Sequence, residues 1–566
     1  RGLTHAPLAV VGLNSAADNT RETYQITIGG NGTFNNGINY DFYGQYGNVD
    51  VEIQRADILT SRYFQALDVT TDASGNAVCR DPSDGCLPLN PFNKQASAEA
   101  RAYVDGGVVD TAEIEQTVFG FSFSGDAFNL PAGEVQYAAG LEYRKEESSF
   151  TPDILSQAFD PETGIGLGLV GGELAFNPDE NRYRLPSAGE YDATELFGEV
   201  TVPLLTDKPM AQSLTMDLAA RYTDHSITGG DSTYKTGFNW TLNDTLRLRT
   251  TFSKAVRSPN IDELFKPNES TGQFVADACH TGNLDGGPNA VNRQANCLAL
   301  GIPANFNSLA DVSTRTIVGS GNDQLDPEEA DTYTLGAVIS LGDSFTFTMD
   351  YWDIEITDAI TQFEPNDILS SCVDGAALDD SFCSLIVRAD SHQISRINVT
   401  NINAAEFLAS GIDIEANYGR DLGAGILSLS ATTSYLDELQ TKANANSDTA
   451  GPRILVDSFG YPRWRGLIDT VYSFDKFQIS WLISYVGSSK WSNDGAPEQY
   501  LGNNEVDAVV YHDLNLRYTH NDHLQLFAGV NNLLDEKPPT LPEINTGGLL
   551  YDAMGSYYFF GLRYRL

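Results

Sequence analysis

Hydrophobic and polar residues alternate along most of this chain with a period of two, the period of a strand whose side chains point to opposite faces. The closing stretch GSYYFFGLRYRL (555–566) puts Tyr558, Phe560, Leu562, Tyr564 and Leu566 on one face. Gly555, Tyr557, Phe559, Gly561, Arg563 and Arg565 fall on the other. DTLRLRTTFSKAV (244–256) sets Leu246, Leu248 and Phe252 against Arg247, Arg249 and Ser253. GILSLSATTSYL (425–436) and YHDLNLRY (511–518) divide in the same way. About seventeen such segments are predicted, near 21–34, 38–55, 113–128, 133–147, 189–204, 212–226, 230–242, 244–256, 328–341, 343–361, 394–420, 424–437, 461–474, 476–488, 504–519, 522–534 and 550–566. No convincing helical period of any length interrupts them.

The connections carry as much information as the strands. NNG (35–37), LND (242–244), LGD (341–343), FDK (474–476) and HND (520–522) read as tight turns. The segments 56–112, 148–188, 257–327 and 362–393 are long, and every one falls on the opposite side of the up-and-down alternation from the turns. A soluble sandwich has no reason to sort its connections by parity. A transmembrane antiparallel β-barrel does, with short periplasmic turns and long extracellular loops. The expected fold is therefore all-β, with a lead-in at 1–20 and a barrel over 21–566. In a barrel the last strand must pair laterally, because unpaired backbone groups in lipid cost several kcal/mol each.

Composition sharpens this picture. No apolar run approaches the roughly 18 residues of a membrane helix; APLAVVGL (6–13) is the best and is far too short. The formal charge of −43 argues against nucleic acid, which demands clustered Lys and Arg. It suits solubility, or acidic loops facing cations or basic ligands. RGLTHAPLAV lacks the basic start, apolar core and cleavage site of a signal peptide. The expectation is that a signal was removed with more of the chain, or that this is a fragment.

Six cysteines form three close pairs within long polar segments: Cys79 and Cys86, Cys279 and Cys297, Cys372 and Cys383. Zinc competes with local disulfides. The absence of CxxC spacing and of a histidine pattern favours disulfides in an oxidising compartment. TDASGNA (71–77) resembles half a calcium loop but lacks the distal bidentate Glu, so a β-turn is expected. His520 and His523 read as solvated residues of a turn. No metal or cofactor site is expected.

Several segments resemble TonB-dependent outer-membrane receptors of a proteobacterial branch. SKAVRSPNIDELF (253–265) resembles the family's strand-to-loop motif, carrying Arg257 and Pro259. GNDQLDPEEADTYTLG (321–336) resembles its Gly-Asn-x-x-Leu-x-Pro-Glu element through Asn322, Leu325, Pro327 and Glu328. ASGIDIEANY (409–418) resembles a later strand. LFAGVNNLLDEKPP (526–539) resembles the segment before the final strand, with Gly529, Asn532 and Asp535. ELFGEVTVPLL (195–205) and AAGLEYRKE (138–146) also read as barrel strands of that branch. GLRYRL keeps the outer-membrane insertion pattern through Gly561, Tyr564 and Leu566, although such proteins more often end in an aromatic residue. The bland reading of Arg257 and Pro259 is that they shape a turn; the sharper one is ligand contact.

The resemblance implies a cell outer-membrane barrel that takes up a scarce large solute, of the siderophore-iron, cobalamin or oligosaccharide class. It implies no catalytic residue. Partners implied are outer-membrane lipid and lipopolysaccharide, an extracellular solute, and the TonB complex acting through a plug. Family barrels have about 22 strands around a plugged lumen. About seventeen are found here, and no plug or TonB box, so a separate N-terminal segment of the same receptor is expected to supply the rest. A passive porin, a surface adhesin and a barrel hydrolase are the rival readings. Seven histidines, none near a GxSxG elbow, give a hydrolase little to work with.

Overall fold

The structure is a computed structural model. It describes residues 17–90, 96–153, 169–170, 186–266, 269–287, 289–310, 312–313, 315–442, 453–493, 504–539 and 550–565. Residues 1–16 of the expected lead-in, most of the 148–188 connection and Leu566 lie outside these.

Seventeen long strands form one antiparallel meander. They are β1 (Ala17–Thr33), β2 (Asn39–Leu59), β3 (Asp105–Leu130), β4 (Gly133–Thr151), β5 (Ser187–Lys208), β6 (Ala211–His225), β7 (Gly229–Thr241), β8 (Leu246–Arg257) and β9 (Glu328–Leu341). They continue as β10 (Phe345–Gln362), β11 (Ile394–Leu422), β12 (Gly425–Lys442), β13 (Trp464–Phe474), β14 (Phe477–Val486), β15 (Val509–Asn521), β16 (Leu524–Asn531) and β17 (Tyr557–Tyr564). Each pairs with its sequence neighbours. Five short strands join the same 22-stranded sheet: Leu169–Val170, Glu269–Gln273, Arg315–Ser320, Ile386–Arg388 and Arg453–Ile454. Among the described residues β1 pairs only with β2, and β17 only with β16.

The expected strands are all present, with shifted ends. β1 begins at Ala17 rather than residue 21. The strand expected at 504–519 starts at Val509, because Glu505–Val506 pairs instead with Ser489–Lys490. The strand expected at 550–566 begins only at Tyr557. Residues 550–556 are held outside the sheet by the loop that precedes it.

Short turns are closed by their own side chains. Asn243 Oδ1 accepts from the N–H groups of Thr245 and Leu246, and Asn521 Oδ1 from those of His523 and Leu524. These are Asx turns, which supply a local partner where the ladder stops. In NNG, Gly37 takes φ +85° so that the β1–β2 turn can reverse within five residues.

Register assigns the faces, since directly opposed residues share one. On β8, Arg249 lies opposite Gly336 of β9, which lies opposite Asp350 of β10. Arg249 reaches across the glycine to donate Nε–H to Asp350 Oδ1 at 2.8 Å. A Cβ on Gly336 would lie 3.0 Å from that nitrogen. This is the lumenal face. The other face carries exposed Ile28, Phe121, Leu196, Leu335 and, at 91% exposure, Phe560. So much bare apolar surface makes sense only against lipid. Aromatic residues border it above (Tyr24, Tyr46, Tyr222, Tyr333) and below (Phe42, Trp240, Phe474, Phe477), as interfacial girdles do. No helix among the described residues is long and apolar enough to cross a membrane, which does not bear on strands.

Candidate functional site

The sequence offers the segments 257–327 and 362–393 as connections without periodic structure. The fold makes them a single cap above the barrel mouth. Helix Ala290–Ala299 buries Arg293, Asn296 and Cys297, helix Pro365–Asp374 buries Ile368, Leu369, Cys372 and Val373, and the short helix Asp380–Cys383 follows. Asn289 caps the first by accepting from the Asn292 N–H, and Pro365 opens the second at a position where its missing N–H costs nothing. Ile302, Ile317, Ile368, Leu369, Ile394 and Ile397 form the buried core. Strand Arg315–Ser320 lies parallel to the first residues of β11, Thr316 opposite Arg396. This explains the 29-residue length of β11: its lower part belongs to the barrel and its start to the cap.

Each loop is stapled internally, by Cys279–Cys297 in one and Cys372–Cys383 in the other. Two ion pairs then bind the loops to each other. Arg293 of the first loop donates Nε–H and Nη2–H to Asp374 of the second, both at 2.6 Å, with both side chains under a tenth exposed. In the opposite sense, Arg388 of the second loop grips Asp277 of the first through two bonds of 2.8 Å. Burial resists ionisation of Asp277. The Arg388 guanidinium and the Cys279 N–H outweigh it and hold the carboxyl below its ordinary range. The third disulfide, Cys79–Cys86, closes a small unit in the β2–β3 connection. There Asp72 accepts from the N–H groups of Ser74 and Asn76, so TDASGNA is a turn. Among the described residues no three His, Cys, Asp or Glu side chains converge as a metal site.

The motif residues converge where the cap meets the barrel. Arg257, at the lumenal rim of β8, donates to Glu328 at 2.6 and 2.7 Å and to Glu263 at 2.9 and 3.0 Å. Asn260 and Glu263 form a reciprocal capping box on helix Ile261–Phe265, directly after buried Pro259. Asn322 donates its backbone N–H to the Glu263 carbonyl and its side-chain amide to the Asn401 carbonyl. Leu325 is buried behind this joint, and Pro327 leads into β9 at Glu328. Asn403 ties it to β10 by donating to the carbonyls of Asp326 and Asp358, the latter at φ +53° within the register shift between Ile356 and Ala359. Every donor of Arg257 named here is engaged by protein, so the motif builds a clamp.

A second joint lies after β16. Asn532, fully buried at φ +48°, donates to the Glu536 carbonyl and Asp552 Oδ2 while accepting from the Glu536 N–H. Asp535 accepts from the Ser556 N–H, and a Cβ on Gly529 would lie 2.6 Å from the Phe559 ring. Gly561 faces the Phe527 ring, where any Cβ would collide, and Tyr564 stands exposed on the lipid face.

Between these joints the wall β12–β17 borders a lumenal cavity of about 970 Å³, lined by Ser434, Arg465, Leu467, Tyr511, Asp513 and Tyr557. The alternation already put Tyr557 on the polar face of its strand, but gave none of the six a functional role. The signal available was a lumen-parity arginine among serines and threonines. The cavity combines hydroxyls, carboxylates, an aromatic surface and a cation, which suits a bulky polar solute.

The TonB-dependent receptor-like β-barrel family model matches residues 6–533. No curated protein matches the sequence. Among solved structures, the siderophore receptor PirA from Acinetobacter baumannii is similar at 16% identity and TM-score 0.57, covering 96% of this chain and 62% of that one. A ferric enterobactin receptor variant from Pseudomonas aeruginosa, in complex with enterobactin, shares 14% identity at TM-score 0.50, covering 97% and 80%. The FpvAI–pyocin S2 complex shares 12% at 0.52, covering 96% and 54%. This chain thus spans less than two thirds of the PirA receptor chain.

Proposed function

Because this chain belongs to the TonB-dependent receptor β-barrel family, whose members lie in the outer membrane, we propose that it is the wall and solute-capturing mouth of an energy-dependent uptake receptor. The observation that carries this reading is the cap. Two loops on the extracellular side are stapled, ion-paired to each other and clamped to the rim, above a polar lumenal cavity. A binding site for a dilute solute needs such rigidity, since ordering mobile loops on binding costs affinity.

The reading assigns no catalytic residue. Its energy source is the TonB complex, acting through a plug carried by a separate segment of the same receptor; further strands would pair beside β1 and β17, which among the described residues are each paired on one side. Siderophore-iron heads the solute classes, since structurally similar proteins are a siderophore receptor and a ferric enterobactin receptor; cobalamin and oligosaccharide are the comparison classes.

The test is uptake by cells with and without the full-length receptor. Radiolabelled ferric siderophore, cobalamin and maltooligosaccharide are compared in the presence and absence of TonB and of a protonophore. The expected result is accumulation of one class that needs both the receptor and energy. Receptor-dependent entry that survives loss of TonB would identify a passive porin instead.

A further inference from the structure

On the lipid face, acid begins where the apolar band ends. Above Tyr24 and Tyr46, whose rings lie 6.1 Å apart, Glu22 of β1 is directly opposite Asp50 of β2, and Asp50 directly opposite Glu113 of β3. The same step recurs around the barrel: Asp224 follows Tyr222 on β6, and Asp331 precedes Tyr333 on β9 and lies opposite Glu355 of β10. Carboxylates opposed across strands repel. Neither Glu22 nor Asp50 meets a cation among the described residues. The lysines in this band, Lys145 and Lys254, are already bound to carboxylates.

One side chain in the row points to what is missing. Asn48, adjoining Asp50 on this face and only 3% exposed, donates Nδ2–H to Glu113 Oε1 at 2.9 Å, but its buried Oδ1 has no hydrogen-bond partner. Its neighbours across the strands are Tyr24 and Glu115. A buried carbonyl oxygen without a donor is costly. An amide oxygen beside carboxylates is the kind of ligand a hard divalent cation selects. Yet no three acidic groups here converge closely enough to hold an ion unaided, so further oxygens must come from outside the protein. At this height above the aromatic girdle the outside is the lipid headgroup layer.

We propose that this collar binds divalent cations, Ca²⁺ or Mg²⁺, shared with phosphate groups of the outer-leaflet lipid, and that the Glu22–Asp50–Glu113 row with Asn48 Oδ1 is its principal site. The cation relieves the cross-strand repulsion, supplies Asn48 with its partner and joins an acidic wall to an acidic membrane surface. The inference depends on the outer-membrane location and is independent of whether the receptor transports anything.

Terbium(III) is the probe, because Tyr24 and Tyr46 beside the row can sensitise its emission. The full-length receptor is placed in nanodiscs of bisphosphorylated lipid A, of lipid A without phosphate, or of phosphatidylcholine. The expected result is saturable, tyrosine-sensitised emission in the phosphorylated discs alone, displaced by Ca²⁺. The triple variant Glu22→Gln, Asp50→Asn, Glu113→Gln should weaken it at least about tenfold, in line with the dependence of such sites on ligand charge. Asn48→Leu should act in the same direction. In EDTA the triple variant should melt at or above the parent temperature, since it has lost repelling charges. Equal emission in all discs, or restoration of phosphate-free discs by inorganic phosphate, would overturn the lipid assignment. An unaltered triple variant, or one that melts below the parent in EDTA, would overturn the cation site. Preferential binding of amine-modified lipid A without any divalent ion would replace the cation with a cationic headgroup.

Discussion

Replacing Arg293 by Met isolates what binds the two cap loops together. The guanidinium makes two 2.6 Å bonds to Asp374 and one of 2.9 Å to the Asn283 carbonyl. Its removal leaves the Asp374 carboxylate, 5% exposed, without its cation. Breaking a buried pair from one side costs about 3–5 kcal/mol, because the surviving charge stays desolvated. The pair packs tightly against Gly287, where φ is +75° and a Cβ would come 2.8 Å from Asp374 Oδ2, so no water replaces the guanidinium cheaply. Removing both charges in Arg293→Met/Asp374→Leu should restore most of the loss, since well-packed apolar replacements for buried pairs are often neutral or better. The assay is hydrogen exchange of the cap amides in the intact receptor, with the barrel strands as internal reference. The single variant should speed exchange in 275–310 and 365–399 together, by two to three decades for roughly 3–4 kcal/mol. Exchange rising in only one loop, or a double variant as open as the single, would refute the account of a cap held as one unit by this pair.

Three further outcomes follow from the same geometry. Leu248→Arg puts charge on the lipid face and should destabilise the barrel by about 2–4 kcal/mol near the midplane; Arg249→Leu strands a partly exposed Asp350 and should cost about 1 kcal/mol, a difference read by denaturant titration in micelles. Asp277 has a lowered pKa when folded, so its contribution is present above the unfolded carboxylate value of about 3.9 and is lost as pH falls through the lower folded value; cap exchange should therefore accelerate below about pH 4, and Asp277→Asn should flatten that dependence. Cys279→Ser/Cys297→Ser opens a loop with a sequence separation of 18 residues and should cost the cap about 3 kcal/mol by chain entropy, while barrel melting stays unchanged.

Alternation, with the sorting of connections by parity, determined the barrel. A strand in lipid must turn one face to hydrocarbon and the other to a polar lumen, so each of the seventeen strands carries its assignment in its own residues, as Leu248 and Arg249 do. Parity of the connections determined which end faces outward. Register, fixed by that alternation, also makes the acidic row legible once strand order is known. The cap was a tertiary decision. Its helices are at most ten residues long, its parallel pairing of Thr316 with Arg396 spans a whole hairpin, and Arg293 and Asp374 lie 81 residues apart. No local period encodes contacts of that kind. Likewise Arg257 reads in sequence as a turn-shaping residue with ligand contact as the alternative; the arrival of Glu328 from the next barrel strand, opposite the nearby Glu263, made it a clamp, because a guanidinium's role is set by which carboxylates fill its five donors.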